Sequence, residues 1–440
     1  MKFREIILLI LIIAAGTCVY HYQTGNWRDW QINWDWDEGF FFPGREFNFE
    51  ETRIIEGPLP GRIEIVNGHG WVELRGEERQ DVKVIFKKRI WRKNESQAGE
   101  VSSQLRMTEQ KTADALILST NREEFRKRNF ETGFIVSVPA GMKVKVVNSY
   151  GTVGVELVAE LVVENRHGRI FASDIAGAWD MRTSYEDIEA RRLNAAGQAY
   201  GRHGDIIIAK AGGDVRIEGT YGRISMEEIE GNATVIGQHA EVDLAKISGT
   251  AEIESSYEDI TVFDAGKTRI QARHAAVRAE KIRGDLSIST SYEPVEVSAV
   301  EGDLSVEGHN VAVNALDIGG DSVYLSTSYE PAAIAGFSAK LEAIVRHADL
   351  TLKPKSLNGG INVNAEYCDI DFYWPPDESA PIEAKSRGGS IVWEIKAELE
   401  SRKSNGTEIV RAFSRVENRP AVFLSTTYGD IRIMPGSGSF

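Results

Sequence analysis

Histidine and tyrosine can ligate metals, carry protons and stack, and in this chain of 440 residues they share one repeated position. The run STSYEPVEVSAVEGDLSVEGHNVAV, from Ser289 to Val313, puts Tyr292 and then His309 into the same slot of two consecutive units. Aligning the chain on that slot gives Tyr150, His167, Tyr185, His203, Tyr221, His239, Tyr257, His274, Tyr292, His309, Tyr329, His347 and Tyr367. Steps run from 17 to 20 residues; His69 begins the series, and Gly388 and Tyr428 extend it. Seven of the eight histidines therefore fall in one slot, which chance does not arrange.

Metal binding is the first chemistry such a column suggests, since imidazole is a common ligand. Successive histidines are two units apart, however. If the units stack as strands, that is about 9.6 Å, too far for ligands that must each approach one ion to roughly 2 Å. A structural stack is the expectation, with no cofactor and no metal. Partly buried histidines would also resist protonation, so acid near pH 5 is expected to loosen the stack.

Other chemistries fit less well. Calcium-binding β-rolls need a glycine-rich, aspartate-bearing turn in every unit, whereas AGGDVRI and IGGDSVYL are isolated. Asp187, Asp205, Asp259, Asp349, Asp369 and Asp430 recur two residues after the slot, where Asp is a common turn former, so they read as turns and not as paired catalytic carboxylates. Thr183, Thr290 and Thr327 recur only on alternate units, which does not make an ice-binding array. With no nucleophile motif, paired-cysteine zinc motif or phosphate loop, the chain reads as a non-enzyme.

The elements that position the slot follow from a period of two. Leu286, Ile288, Thr290 and Tyr292 alternate, then Val295 and Val297; Val215, Ile217, Gly219 and Tyr221 do the same, followed by Ile224 and Met226. Each unit is thus two short strands with one face inward. A third apolar position (Ile229, Ile247, Ile282, Val300) precedes a turn marked by Gly231, Gly249, Gly284 or Gly302. A two-strand unit cannot bury its apolar face alone, but stacked copies share one core. The fold expected is an all-β, parallel β-solenoid of about fifteen rungs, roughly 70 Å long, with the Tyr/His column at the inner edge of a corner.

Neighbours of the slot alternate too. Tyrosine units carry Glu186, Glu258, Glu293 and Glu330 after the slot, and histidine units carry Arg166, Arg202, Arg273 and Arg346 before it. Identical charges on every rung would repel across adjacent strands. Alternation doubles the like-charge spacing and is expected to let each Arg reach a Glu on a neighbouring rung.

The solenoid is expected over 61–440, with capping strands over 75–140 and an insertion over 394–420. Ahead of it, Lys2 and Arg4 precede an apolar run from Ile6 to Tyr20. Residues 1–22 then read as a cytoplasmic stub with a signal anchor that crosses the membrane, the rest lying outside. A cleaved signal peptide, or a lipoprotein through Cys18, are the alternatives. Residues 23–60 form an aromatic-rich juxtamembrane linker in which Trp27, Trp30, Trp34, Trp36, Phe40, Phe41 and Phe42 suit either a membrane or partner contact, or a cover for the domain's end. A net charge of −15 argues against nucleic acid. Cys18 and Cys368 leave no internal disulfide framework.

Phe134 to Gly177, FIVSVPAGMKVKVVNSYGTVGVELVAELVVENRHGRIFASDIAG, resembles the bacterial "putative-adhesin" family of β-strand repeats, also called the toastrack domain. The signature is an apolar strand into Val138-Pro139, then Asn148-Ser149-Tyr150-Gly151 and successive rungs; the resemblance spans about residues 60 to 375 and returns in STTYGDIRIMPG. It implies an extracytoplasmic, often membrane-tethered strand stack in envelope stress systems or surface attachment, without catalytic residues. The function expected is a non-enzymatic scaffold or adhesin-like binding protein of the bacterial envelope, in the periplasm or at the cell surface, with an envelope protein or surface polysaccharide as partner. The alternative is an accessory sensor of envelope stress acting on a membrane partner.

Overall fold

The computed structural model describes residues 44–376, 378–413 and 419–436. In the unit around Tyr292, strand Leu286–Ser291 buries Leu286, Ile288 and Thr290 and turns Ser287 and Ser289 outward. After the corner, strand Val295–Val300 buries Val295 and Val297. Ala299 then takes a left-handed φ of 55°, which puts two outward residues in succession and returns Val300 to the inside. That break in the alternation creates the third inward position.

Each unit lies parallel and in register on the next. Leu286 sits beside Leu304 and Ile288 beside Val306 in the sheet of strands before the slot, and Val295 beside Val313 in the sheet of strands after it. Like inward residues stack: Ile224, Val242, Ile260, Val277 and Val295 form one column, each at most 1% exposed. Each such side chain contributes about 1.5–3 kcal/mol by leaving water, a gain that exists only while its neighbours are in place.

The architecture is an all-β parallel β-solenoid of about 13 turns, and not about fifteen. At the ends the rungs do not follow in chain order. At the N-terminal end Arg62–Asn67 and Val72–Glu77 lie between Lys143–Tyr150 with Val153–Val158 on one side and Ala115–Thr120 with Phe130–Pro139 on the other. At the C-terminal end Val422–Thr427 and Ile431–Pro435 lie between Ile361–Glu366 with Ile370–Trp374 and the earlier segments Ile382–Arg387 with Ile391–Trp393. Each end is therefore closed by a rung pairing on both sides with segments distant in sequence.

Antiparallel strands cover the outermost rungs. Arg45–Ile55 pairs with Val82–Arg92, which pairs with Phe130–Pro139, and Met107–Lys111 pairs with Ala115–Thr120. Part of the segment that reads as a polar connection is a helix, Glu95–Gln104, started by Asn94, whose side chain accepts from the Gln97 N–H. Its Ala98 packs with Ile90, Leu105 and Phe130 in a separate small core. At the other end Leu399–Ser404 and Thr407–Ala412 form a hairpin whose outer strand, Leu399–Ser404, is exposed throughout and carries Glu400, Arg402 and Lys403. Charges on an exposed edge disfavour pairing with another chain.

The expected anchor at 1–22 and Trp27, Trp30, Trp34, Trp36, Phe40, Phe41 and Phe42 lie outside the described residues. Among those described, no helix is long and apolar enough to cross a membrane.

Candidate functional site

The corner between the two sheets is built from the inside out. Two residues before the slot, a short polar side chain commonly fills the interior. Asn165 Nδ2 donates to the Gly151 carbonyl at 2.8 Å, and the hydroxyls of Thr183, Ser255 and Thr327 donate to the carbonyls of Gly168, Ala240 and Val311. These contacts satisfy corner carbonyls that would otherwise be buried without a partner.

With the inside filled, the slot residue points outward. Tyr257 and Tyr292 have φ of 76°, and His239, His274 and His347 lie between 51° and 56°, so the left-handed backbone swings these side chains off the pleat. On earlier rungs the residue after the slot takes that role, as at Gly151 and Gly222. The expectation of a column at the inner edge of the corner is thus corrected. Tyr150, Tyr185, Tyr221, Tyr257, Tyr292, Tyr329 and Tyr367 are 45–56% exposed. His167 and His274 are half-buried, and His203, His239, His309 and His347 are exposed. Burial is therefore no ground for acid loosening of the column as a whole.

The rings form one ladder. Tyr150–His167, His167–Tyr185, His239–Tyr257 and His274–Tyr292 have centroids 4.3–4.6 Å apart and planes within 8°. Tyr185–His203, His203–Tyr221, Tyr221–His239 and Tyr257–His274 lie at 5.0–5.6 Å and within 17°. Tyr329–His347–Tyr367 continues it, and Tyr428 stacks on Tyr367 at 5.1 Å. One rung departs: His309 stands edge-on to Tyr292 and Tyr329, at 83° and 89°. There the positive φ falls on Asn310 instead, and His309 Nδ1 lies 3.0 Å from the Ser328 hydroxyl. Because ring faces cover one another, the corner shows solvent a row of ring edges with phenol hydroxyls and imidazole nitrogens.

Tyr257→Ala removes the contacts to His239 at 4.5 Å and His274 at 5.4 Å. A loss of about 1–2 kcal/mol is expected from two stacked contacts, with Tyr257→Phe near neutral. Hydrogen exchange of the amides of Ile253 and Ile270, on the adjoining strands, reads it out.

The charges beside the ladder do not pair as the alternation suggests. Arg346 lies 4.0 Å from Glu366, but Arg166, Arg202 and Arg273 have no carboxylate within that distance among the described residues. Long side chains on an exposed corner gain little by fixing one geometry in water. The aspartates after the slot have a further role: Asp187 Oδ1 accepts from the Asp205 N–H at 3.1 Å, and Asp205 Oδ1 from the Arg223 N–H at 2.9 Å. These turns are thereby tied to the ones that follow. No group of three or more His, Cys, Asp or Glu is placed to hold a metal among the described residues.

His69 differs from the rest of the column. It stacks on Tyr150 at 5.3 Å beneath the N-terminal cap, its Nδ1 is buried without a hydrogen bond, and Glu131 is 3.8 Å away. Burial, then the nearby Arg122 guanidinium, push its pKa below 6.5, with Glu131 opposing. A base whose pKa is depressed on folding binds protons better when unfolded, so its contribution is full above pH 6.5 and falls as pH drops below it. The cap is expected to lose protection between pH 7.5 and 5.5 in the native chain and to lose less in His69→Gln, as read by limited proteolysis of residues 78–142.

A second feature carried no letter pattern in the sequence. The left-handed position in the strand after the slot is held by Leu157, Asp174, Arg192, Lys210, Glu228, Lys246, Asp264, Lys281, Ala299 and Asp317, with φ between 55° and 62°. These residues border a trough that runs across the rungs.

No protein-family model matches this chain, and no curated protein matches it either. Among solved structures, it is similar to a "putative cell adhesion protein" from Clostridium sporogenes, at 10% identity over 88% of this chain and 100% of the other, with a TM-score of 0.20. A likeness of that degree carries no argument about this chain, whose fold rests on its own strand pairing.

Proposed function

We propose that this chain is a non-enzymatic, membrane-anchored, extracytoplasmic β-solenoid of the toastrack kind, acting through its surface as a scaffold or adhesin-like binding module. The observation that supports this best is the ring ladder, which sets the edges of alternating tyrosines and histidines along one corner of about 13 turns. Repeated identical edges suit a partner met at many points, because weak contacts gain strength when linked. Residues 1–22 supply the anchor in this reading, and the described chain starts at the N-terminal end of the stack, with Arg45–Ile55 as its outermost strand. The solenoid then extends from the membrane with its ladder free.

An epitope placed after Phe440 tests the display. Antibody access in intact cells supports an adhesin-like module. Access only after the envelope is opened contradicts surface display and favours an envelope scaffold or the sensor reading, in which Trp27 to Phe42 contact a membrane partner.

A further inference from the structure

We infer that the trough beside the left-handed positions is a binding site for a linear, uncharged polysaccharide. The trough lies at the far end of the strand from the ring ladder. Its main part, about 990 Å³, runs from Ala140 across successive rungs to Lys246 and Ser248. A second part of about 430 Å³ continues on the same positions from Asp264 to Lys355. One wall is the left-handed column and the other is the turn, through Ala176, Asn194, Gly212 and Ser248. A trough this long and open suits a polymer lying along the stack better than an enclosed small molecule.

The chemistry of the walls narrows the polymer. Arg192 pairs with Asp174 at 2.6 Å, Lys246 with Glu228 at 3.0 Å, Arg283 with Asp264 at 3.1 Å, and Lys355 with Asp317 at 2.9 Å. Both signs are therefore interspersed along the trough, and a uniformly charged chain meets repulsion on many rungs. Backbone groups offer little to a polypeptide: the N–H groups of Asn194, Gly212, Glu230 and Ser248 each donate to the rung before at 2.8 Å. Strand addition needs unpaired amides at a sheet edge, and this surface crosses the strands.

Carboxylates only accept hydrogen bonds and guanidinium or ammonium groups only donate, while a hydroxyl does both. A chain dense in neutral hydroxyls satisfies both kinds of group in succession, and exposed Leu157 with Ala176 gives its C–H faces apolar contact. Each rung repeats the offer at roughly 4.8 Å, so modest contacts add along the chain.

The inference extends the binding-module reading without needing the anchor or surface display, so the epitope experiment and this one fail independently. The full chain in detergent micelles is run through native gels containing a soluble neutral β-glucan, a neutral galactomannan, or polygalacturonate. Retardation by at least one neutral polymer is expected, and it should persist as salt is added, since screening weakens charge-driven binding far more than hydroxyl contacts. Ser248→Trp, which blocks the trough, and the pair Arg192→Ala with Lys246→Ala are each expected to weaken binding about tenfold or more, an energy of about 1.4 kcal/mol. Arg402→Ala, on the exposed hairpin strand at the C-terminal end, is expected to leave it unchanged. Should Ser248→Trp fail to fold, the exposed pair gives the same reading. No retardation by either neutral polymer, equal retardation of the trough variants, or retardation by polygalacturonate alone overturns the inference.

Discussion

Gly168→Val is expected to cost more than about 4 kcal/mol and to break the stack locally, because it combines overpacking with a displaced backbone. A Cβ at Gly168 would stand 1.9 Å from the Gly151 carbonyl oxygen and 2.8 Å from Asn165 Nδ2. The oxygen belongs to backbone, and it accepts from Asn165 at 2.8 Å, so it has no free direction in which to retreat. The turns of Gly151 and Gly168 would have to separate, which also parts Tyr150 from His167, now 4.6 Å apart. Energy in a stack is shared between nearest neighbours, so the damage should stay within a few rungs. Hydrogen exchange should show lost protection in strands Lys143–Tyr150 and Glu160–His167 with strand Val295–Val300 unchanged. Uniform protection in the variant would mean that the glycine contact does not hold the rungs together.

Deleting residues 421–440 is expected to have the second largest effect. It removes Val422–Thr427 and Ile431–Pro435, which pair on one side with Ile361–Glu366 and Ile370–Trp374 and on the other with Ile382–Arg387 and Ile391–Trp393. The interior loses Leu424, Ile431 and Ile433, all at most 1% exposed, and the hydroxyl of Thr426 that donates to the Cys368 carbonyl at 2.8 Å. Nothing then separates Ile361–Glu366 from solvent unless the outer segment shifts by one rung, which the hairpin of Leu399–Ser404 and Thr407–Ala412 is not placed to drive. Residues 381–413 are expected to become sensitive to protease, and the uncovered edge to drive self-association. Size-exclusion chromatography with light scattering should show oligomers where the full chain shows fewer. A truncated chain that stays as monodisperse and protease-resistant as the full one would show that the earlier segments close the end by themselves.

Much of the stack is readable from letters because a solenoid repeats its local pattern. Leu286, Ile288, Val295, Val297 and Val300 declare their inward positions by spacing alone, and each lies at most 3% exposed. Orientation at the corner is a different matter. By parity Tyr292 belongs inside, and only its φ of 76° and the buried Thr290 before it turn the ring out. Left-handed backbone at a tyrosine has no sequence signature of the kind that glycine gives. Nor does the order of rungs at the ends. Val422–Thr427 reads like any other strand, and its place between Ile361–Glu366 and Ile382–Arg387 depends on pairings far apart in the chain. The trough wall escapes notice for a third reason: Leu157, Asp174, Arg192 and Lys210 share a backbone conformation and no side-chain property.

The central claim is a single unbroken stack that carries its rings on one outer corner, and distance along that corner tests it most directly. Glu186 and Glu293 are exposed, and each follows a ladder tyrosine, Tyr185 and Tyr292. Spin labels on cysteines at these two positions, with Cys18 replaced by serine and the buried Cys368 left in place, are to be measured by pulsed electron resonance in the full chain. Six rung steps separate the two positions along the ladder from Tyr185 to Tyr292, which predicts one narrow distribution near 29 Å at about 4.8 Å per step. A broad distribution, or one centred well away from that distance, would contradict a continuous ladder and with it the reading of this corner as a binding surface.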